Sequence, residues 1–387
     1  MNLVIYTNIL TPYRKYFYDL LYEECRENGD QFHVLVMSET EPGRRWKYSD
    51  FASCYTHLLK GNSLVRGGVS IHINTNLKKM LKKLKPDLLV CGGSYLYPGV
   101  WLACRYKKKL KYQCFFWSES HLNESRKYQI WKLKLREILR HRLYRSFDGF
   151  WVAGELAKRF VSKYAAEEKH ICFVPNLIDE KRYLALAAGK QERNVFRKQN
   201  DILPERRIMF CPARLIAVKG IVPFLKLLKK CRNKDAVTML IAGEGEERDN
   251  IRKEAVGLDV RLLGYRSEKE VADLYAVSDI FVLPSLSDAN PLSCIEAAWS
   301  GLPLLVTKHV GNYPELVKEG MNGYVISYAR KEEAVKKIET LIDNSMEWYQ
   351  KAGRASVQIA GRWYSSAETS RRIIEDSRIY LGGDSKW

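Results

Sequence analysis

Frameworks built on paired cysteines are the first thing this sequence lacks. Its nine cysteines are odd in number and none stands in a Cys-x-x-Cys pair, which argues against a disulfide scaffold or a zinc ribbon. No Asp-x-Asp pair occurs, which speaks against a divalent ion held between neighbouring carboxylates. Proline is sparse, with 12 in 387 residues, so an unfolded linker-like chain is excluded. The longest uncharged run spans 88–104 and is broken by Gly92-Gly93-Ser94, Pro98 and Gly99, so no membrane-crossing helix is expected. The first residues, Met1-Asn2-Leu3-Val4-Ile5-Tyr6, carry neither a basic region nor a cleavage site. No signal peptide is expected, and a reducing cytoplasm fits.

What is present is the composition of a folded protein, 46% hydrophobic and 28% charged. A length of 387 residues exceeds one ordinary domain and predicts two. Short apolar runs at 3–7, 32–37, 88–91, 113–117, 149–153 and 171–174 alternate with helix-length amphipathic stretches at 13–27, 77–85, 126–145 and 155–164. That alternation is the mark of strand–helix–strand units and a parallel sheet. It stops at a polar stretch, 188–207, read as a linker, and restarts with strands at 208–211, 238–242, 260–263, 280–283 and 304–306. The predicted organisation is two Rossmann-like domains, 1–190 and 191–345. A helical tail, 346–387, follows, with Trp348, Tyr349, Trp363, Tyr364, Ile373, Ile374 and Tyr380 too apolar to stay in water.

Charge is distributed unevenly. Residues 1–170 hold 30 Lys and Arg against 16 Asp and Glu, while the remainder holds 34 against 29. Within the first part, 105–145 supplies 13 basic residues against Glu119, Glu124 and Glu137, a face that attracts anions. There Ile130, Trp131, Leu133, Leu135, Ile138 and Leu139 interleave with Lys132, Lys134, Arg136 and Arg140. This suits either a helix lying on anionic headgroups or an ordinary solvated helix face.

Three segments of the second half combine residues that could carry chemistry. In Ser285-Leu286-Ser287-Asp288-Ala289-Asn290-Pro291-Leu292-Ser293-Cys294-Ile295-Glu296, a strand gives way to a helix with Asn290 as cap and Pro291 in the first turn. The free amides of such a helix start, at the carboxyl end of a strand, suit a phosphate, and Glu296 can accept hydrogen bonds from sugar hydroxyls. Phe210-Cys211-Pro212-Ala213-Arg214-Leu215-Ile216-Ala217-Val218-Lys219-Gly220 is again strand, loop and helix start, with Arg214 and Lys219 able to neutralise a diphosphate. In Gly243-Glu244-Gly245-Glu246, the third glycine of a dinucleotide fingerprint is missing, so a tight turn is read and NAD is not.

The order of these pieces resembles the retaining family-4 glycosyltransferases of the GT-B fold. It runs Pro175-Asn176-Leu177-Ile178-Asp179, Ala213-Arg214 with Lys219-Gly220, Gly243-Glu244-Gly245, Leu263-Gly264-Tyr265, Asp279 to Ser285, Asp288 to Glu296, Gly301-Leu302-Pro303, and Gly320-Met321-Asn322-Gly323-Tyr324. The resemblance implies two Rossmann-like domains across a cleft, with a last helix crossing back onto the first. It implies a donor site in which Arg214, Lys219 and the amides of Leu292 and Ser293 hold the diphosphate and Glu296 the ribose. Gly243 and Asn290 would lie on the donor side, with Tyr265 and Arg266 beside the base. The family's Glu-x7-Glu pair is here Asp288 and Glu296, so the group beside the donor sugar is one methylene shorter. In place of the histidine that many relatives carry after the middle strand stands Glu119, with His121 two residues on, and either could face the sugar. Pro12, Tyr13 and Arg14 replace a glycine-rich loop and would meet the acceptor.

The activity implied is retaining, metal-independent transfer (EC 2.4) of a sugar from a nucleotide diphosphate to a hydroxyl of a glycan or polyprenyl-linked acceptor. It belongs to the synthesis of cell-surface polysaccharide or lipopolysaccharide, on the cytoplasmic face of an anionic membrane, with neither cofactor nor nucleic acid. Two other readings stay open: a sugar-nucleotide epimerase on the same fold, and a non-catalytic basic protein binding membrane or nucleic acid.

Overall fold

The computed structural model describes residues 1–387 except 43–46, 67–68, 124–129, 166–168, 188–189 and 383–387. The chain divides into two compact units. The first comprises 1–120, 127–177 and 366–387; the second comprises 121–126 and 178–365.

In the first unit the strands are β1 (Asn2–Thr7), β2 (Gln31–Val36), β3 (Thr56–Leu58), a hairpin of β4 (Gly61–Arg66) and β5 (Val69–Asn74), β6 (Leu88–Cys91), β7 (Gln113–Ser118), β8 (Gly149–Val152) and β9 (His170–Phe173). Seven of them form one parallel sheet in the order β3-β2-β1-β6-β7-β8-β9. Strands such as β1 and β7 are buried along their whole length, which is why they read as unbroken apolar runs and not as alternating ones. The hairpin is antiparallel and stands outside the sheet. It escapes the sequence pattern because Leu64 and Val65 are exposed and supply no core-facing alternation.

The second unit contains β10 (Arg207–Pro212), β11 (Val237–Ala242), β12 (Asp259–Gly264), β13 (Ile280–Leu283), β14 (Leu304–Thr307) and β15 (Gly323–Ile326). They form a parallel sheet in the order β12-β11-β10-β13-β14-β15. The last strand starts at Gly323, whose φ of +150° and close approach leave no room for a side chain: a Cβ would lie 1.9 Å from the Leu304 carbonyl oxygen.

Each sheet reverses its strand order once, between β1 and β6 in the first unit and between β10 and β13 in the second. Open α/β sheets bind ligands outside the carboxyl ends of the strands at such a reversal. In the second unit that point is flanked by the loop after β10, with Arg214 and Lys219, and the loop after β13, with Asp288.

Two expectations are corrected. The stretch 188–207 is no linker: helix Lys190–Gln199 occupies much of it, and two of its arginines are bound. Arg193 and Arg197 both pair with buried Asp279, at 3.0 and 2.8 Å, and the Asp279 carboxylate also accepts from the amide of Ile208 at the start of β10. The division between the units accordingly falls at 177/178 and not at 190/191. The tail is two helices, Met346–Tyr364 and Ser366–Gly382, of which the first belongs to the second unit and the last to the first unit. In that last helix Ile373 and Ile374 are buried in the first unit's core. Arg378 bonds Asp30 at 2.8 Å, and Asp30 also accepts from the Met1 amine at 2.7 Å.

Candidate functional site

The loop after β10 is shaped by glycines that let backbones touch. Gly243 has φ +150°, and a Cβ there would sit 2.0 Å from the Ala213 carbonyl oxygen; at Gly245 it would sit 2.3 Å from that of Leu215. The turn after β11 therefore presses on 213–215, and the Leu215 amide donates to the Glu244 carbonyl at 2.9 Å. Gly243 thus serves as a spacer behind Arg214. Arg214 itself is exposed, and among the described residues no carboxylate lies within ion-pair reach of it.

Lys219 closes a short 3₁₀ turn, Ala217–Lys219, followed by Gly220 with φ +66°. A Cβ on Gly220 would meet the Pro284 carbonyl oxygen at 2.1 Å, so this turn lies directly on the end of β13. The Tyr328 hydroxyl spans the seam, 3.0 Å from the Gly220 oxygen and 2.8 Å from the Pro284 oxygen, and the Leu286 amide donates to the Val218 carbonyl at 2.8 Å. The loops that carry Lys219 and Asp288 are thereby one body, and the Lys219 ammonium is ion-paired with the Asp288 carboxylate.

The backbone of Asp288 is held independently of its side chain. Its amide donates to the His309 carbonyl at 3.0 Å, and its carbonyl accepts from the Gly311 amide at 2.8 Å and contacts His121 Nε2 at 3.1 Å. His121 is 3% exposed, so it is committed to the loop it supports, and Glu119 falls in the other unit. Asn123, two residues on, donates to the Lys308 carbonyl at 3.0 Å, and its own carbonyl meets His309 Nδ1 at 2.6 Å.

The helix after β13 is Leu292–Trp299 with Pro291 as its cap, one residue later than the sequence suggests; Asn290 is buried before it and makes no cap. Leu292 and Ser293 are the first two helical residues and half-buried, so their amides lie in the orphan positions of a helix start. Glu296, one turn in, accepts a hydrogen bond at 2.8 Å from the hydroxyl of Tyr275, which also lies 3.1 Å from the Ser293 carbonyl. Burial pushes the Glu296 carboxyl above the ordinary glutamate range, against the opposing pull of Tyr275 and Tyr183. Tyr265, exposed, and Arg266, paired with Glu270 at 3.3 Å, follow β12 at the outer edge of the sheet, two strands from the reversal.

In the first unit the helix Pro12–Glu27 begins where β1 ends, with Thr11 accepting from the Arg14 amide at 3.3 Å and Pro12 exposed in the first turn. Arg14 lies 3.8 Å above the Trp117 ring and bonds Glu119 at 2.6 Å, while Tyr13 flanks it at 5.5 Å. The structure thus joins two of the sequence candidates, Arg14 and Glu119, at the carboxyl edge of the first sheet.

Sequence reasoning passed over Tyr183, Tyr275 and Tyr328. Each reads as an apolar helix or loop position, and only the direction of its hydroxyl marks it out. On the basic face, Arg140 is enclosed by Tyr95, Phe160 and Tyr164 at 5.0–5.6 Å, and Lys107 pairs with Asp148 at 2.6 Å, so neither belongs to a solvated patch. The side chains of 130–133, which include Lys132, lie outside the described residues.

Residues 192–358 match the family model Glycosyl transferases group 1. A stretch of 172 residues is 26% identical to the sulfoquinovosyl transferase of Arabidopsis thaliana, covering 43% of this chain and 32% of that protein. The chain therefore aligns with about a third of this curated relative's length. The solved structure of HepE from Anabaena in complex with UDP superposes with a TM-score of 0.75 at 15% identity, covering 98% of this chain and 100% of that one. The lipopolysaccharide outer core galactosyltransferase WaaB superposes with a TM-score of 0.74 at 12% identity over 98% and 100% of the two chains. The chain has the GT-B fold, and within it residues 192–358 are similar to the group 1 glycosyl transferases.

Proposed function

We propose that this chain transfers a sugar, with retention and without a metal ion, from a nucleotide diphosphate to a hydroxyl of a glycan or polyprenyl-linked acceptor. The observation that carries this is the station at the β10/β13 reversal. There an exposed arginine and a lysine follow β10, the lysine is paired with Asp288 after β13, and the helix Leu292–Trp299 that comes next carries Glu296, a carboxylate suited to sugar hydroxyls. A diphosphate brings enough negative charge to draw Lys219 from Asp288, and Arg214 with the amides of Leu292 and Ser293 then stabilises it as it leaves. The C1–oxygen bond to the diphosphate breaks, its electron pair remains on the leaving phosphate, and the acceptor oxygen bonds C1 on the same face. The acceptor's proton passes to the departing phosphate oxygen, so no protein acid has to protonate the leaving group. Asp288, freed of Lys219, stands on the donor side, His121 supports its loop, and the Arg14–Glu119 pair serves the acceptor.

Transfer is tested by screening nucleotide sugars with the purified protein in EDTA, with lipid-linked acceptors added, and reading the anomeric configuration of the product by NMR. Donor consumption without any acceptor favours the epimerase; activity unaffected by Lys219→Ala favours a binding protein. Association with an anionic membrane has its own support in the helices Leu77–Leu84 and Pro98–Leu110. On these, Lys78, Lys79, Lys82, Lys83, Arg105, Lys108 and Lys109 are exposed and make no ion pair among the described residues. No helix of the described residues is long and apolar enough to cross a membrane.

A further inference from the structure

Glu296 has unusual company for a carboxylate meant to meet a ligand. Its Oε2 accepts from Tyr275 at 2.8 Å, and the phenol of Tyr183 reaches the same carboxylate. Both tyrosines are buried, at 0% and 3% exposure, and burial raises both phenols above their ordinary range, so each acts only as a neutral donor. The Tyr275 ring is wedged between Phe210 of β10, 5.1 Å away, and Phe281 of β13, 6.1 Å away, and meets Tyr183 edge-on at 6.0 Å. The basic residue nearby is not available to do the same work: Arg182 is paired with Glu268 at 3.0 Å.

A carboxylate offers about four acceptor positions on two oxygens. Two phenols, Tyr275 packed on the sheet and Tyr183 packed against Tyr275, leave the other positions open to a ligand, and they fix the rotamer before the ligand arrives. Without those donors a half-buried glutamate near Glu268 would take up a proton more readily and would lose its fixed rotamer.

We propose that Tyr275 and Tyr183 are positioning residues that aim Glu296 at the vicinal hydroxyls of a ribose, so that the site selects ribonucleoside diphosphates over deoxy forms. This rests on the donor reading given above. It also gives a purpose to the segment that brings Tyr183 into the second unit, the helix Glu180–Ala187.

The test is calorimetric titration of the full chain with UDP, GDP and ADP, and with the 2′,3′-dideoxy counterpart of whichever binds best. Tyr275→Phe and Tyr183→Phe should each weaken the ribonucleotide about tenfold, as expected for a hydrogen bond to a charged group. The dideoxy form should stay within about twofold, and the steady-state donor KM should rise while kcat at saturating donor holds. Equal weakening of both nucleotides, or no change in either, overturns the proposal. Should Tyr275→Phe fail to fold, because its hydroxyl also serves the Ser293 carbonyl, Tyr183→Phe decides. Glu296→Gln separates the two levels. If it erases the ribose preference and the tyrosine variants keep it, only the positioning role falls. If Glu296→Gln itself keeps the preference, or if the wild type binds no nucleoside diphosphate, the donor reading falls and takes this one with it.

Discussion

At the scale of single residues, one of the two candidate phosphate-binding cations is already paired before any ligand is present. Lys219 is held by Asp288. Lys219→Ala removes a charged hydrogen bond worth roughly 1.5–3 kcal/mol, so kcat/KM for donor should fall about 10- to 150-fold in steady-state assays. Asp288→Asn acts the other way on binding: with no carboxylate to leave, Lys219 is free for the diphosphate, and calorimetry should show tighter nucleoside diphosphate binding together with slower turnover. Glu296 supplies a pH prediction. Its carboxyl is raised by burial, so it holds its proton to higher pH than a free glutamate at about 4.3. The ionised form is the acceptor for ribose hydroxyls, so donor affinity is present at neutral pH and is lost as pH falls through the raised value. A plot of donor KM against pH should turn upward above about 4.3 in the wild type, and the turn should vanish in Glu296→Gln.

At the scale of elements, the glycine turns do the positioning. Gly220 combines φ +66° with a backbone contact that a Cβ would violate at 2.1 Å. Gly220→Ala should cost about 1–3 kcal/mol, read as a lowered denaturant midpoint, and should impair donor binding by separating the 217–220 turn from the end of β13. Elements were legible in the sequence wherever both faces of a strand are buried, as in β1, β11 and β13, because burial alone writes an unbroken apolar run. The hairpin of β4 and β5 was not legible, since Leu64 and Val65 of β4 face water and the buried side chains of β5 are the polar His72 and Asn74, and neither was helix Lys190–Gln199, whose arginines look solvated until Asp279 is seen. The phosphate-facing residues could be read from position after a strand. The tyrosines that support them could not, because a buried aromatic on a helix reads as packing whichever way its hydroxyl points.

At the scale of the whole molecule, the first unit is not contiguous in sequence. Its core takes Ile373 and Ile374 from a helix that follows the entire second unit. The seam around Asp30 is a buried carboxylate bonded to Arg378 and to the Met1 amine. Removal of residues 366–387 should therefore destabilise the first unit and spare the second, seen as one lowered and one unchanged transition in differential scanning calorimetry. There is a temporal side to this arrangement. A ribosome making about 5–20 residues per second delivers everything the second sheet needs before the closing helix of the first sheet leaves the tunnel. The N-terminal half must wait, with an apolar groove open to solvent, while the half made after it is already complete. Maturation here runs opposite to the direction of translation, and chaperone dependence should be concentrated in the part synthesised first.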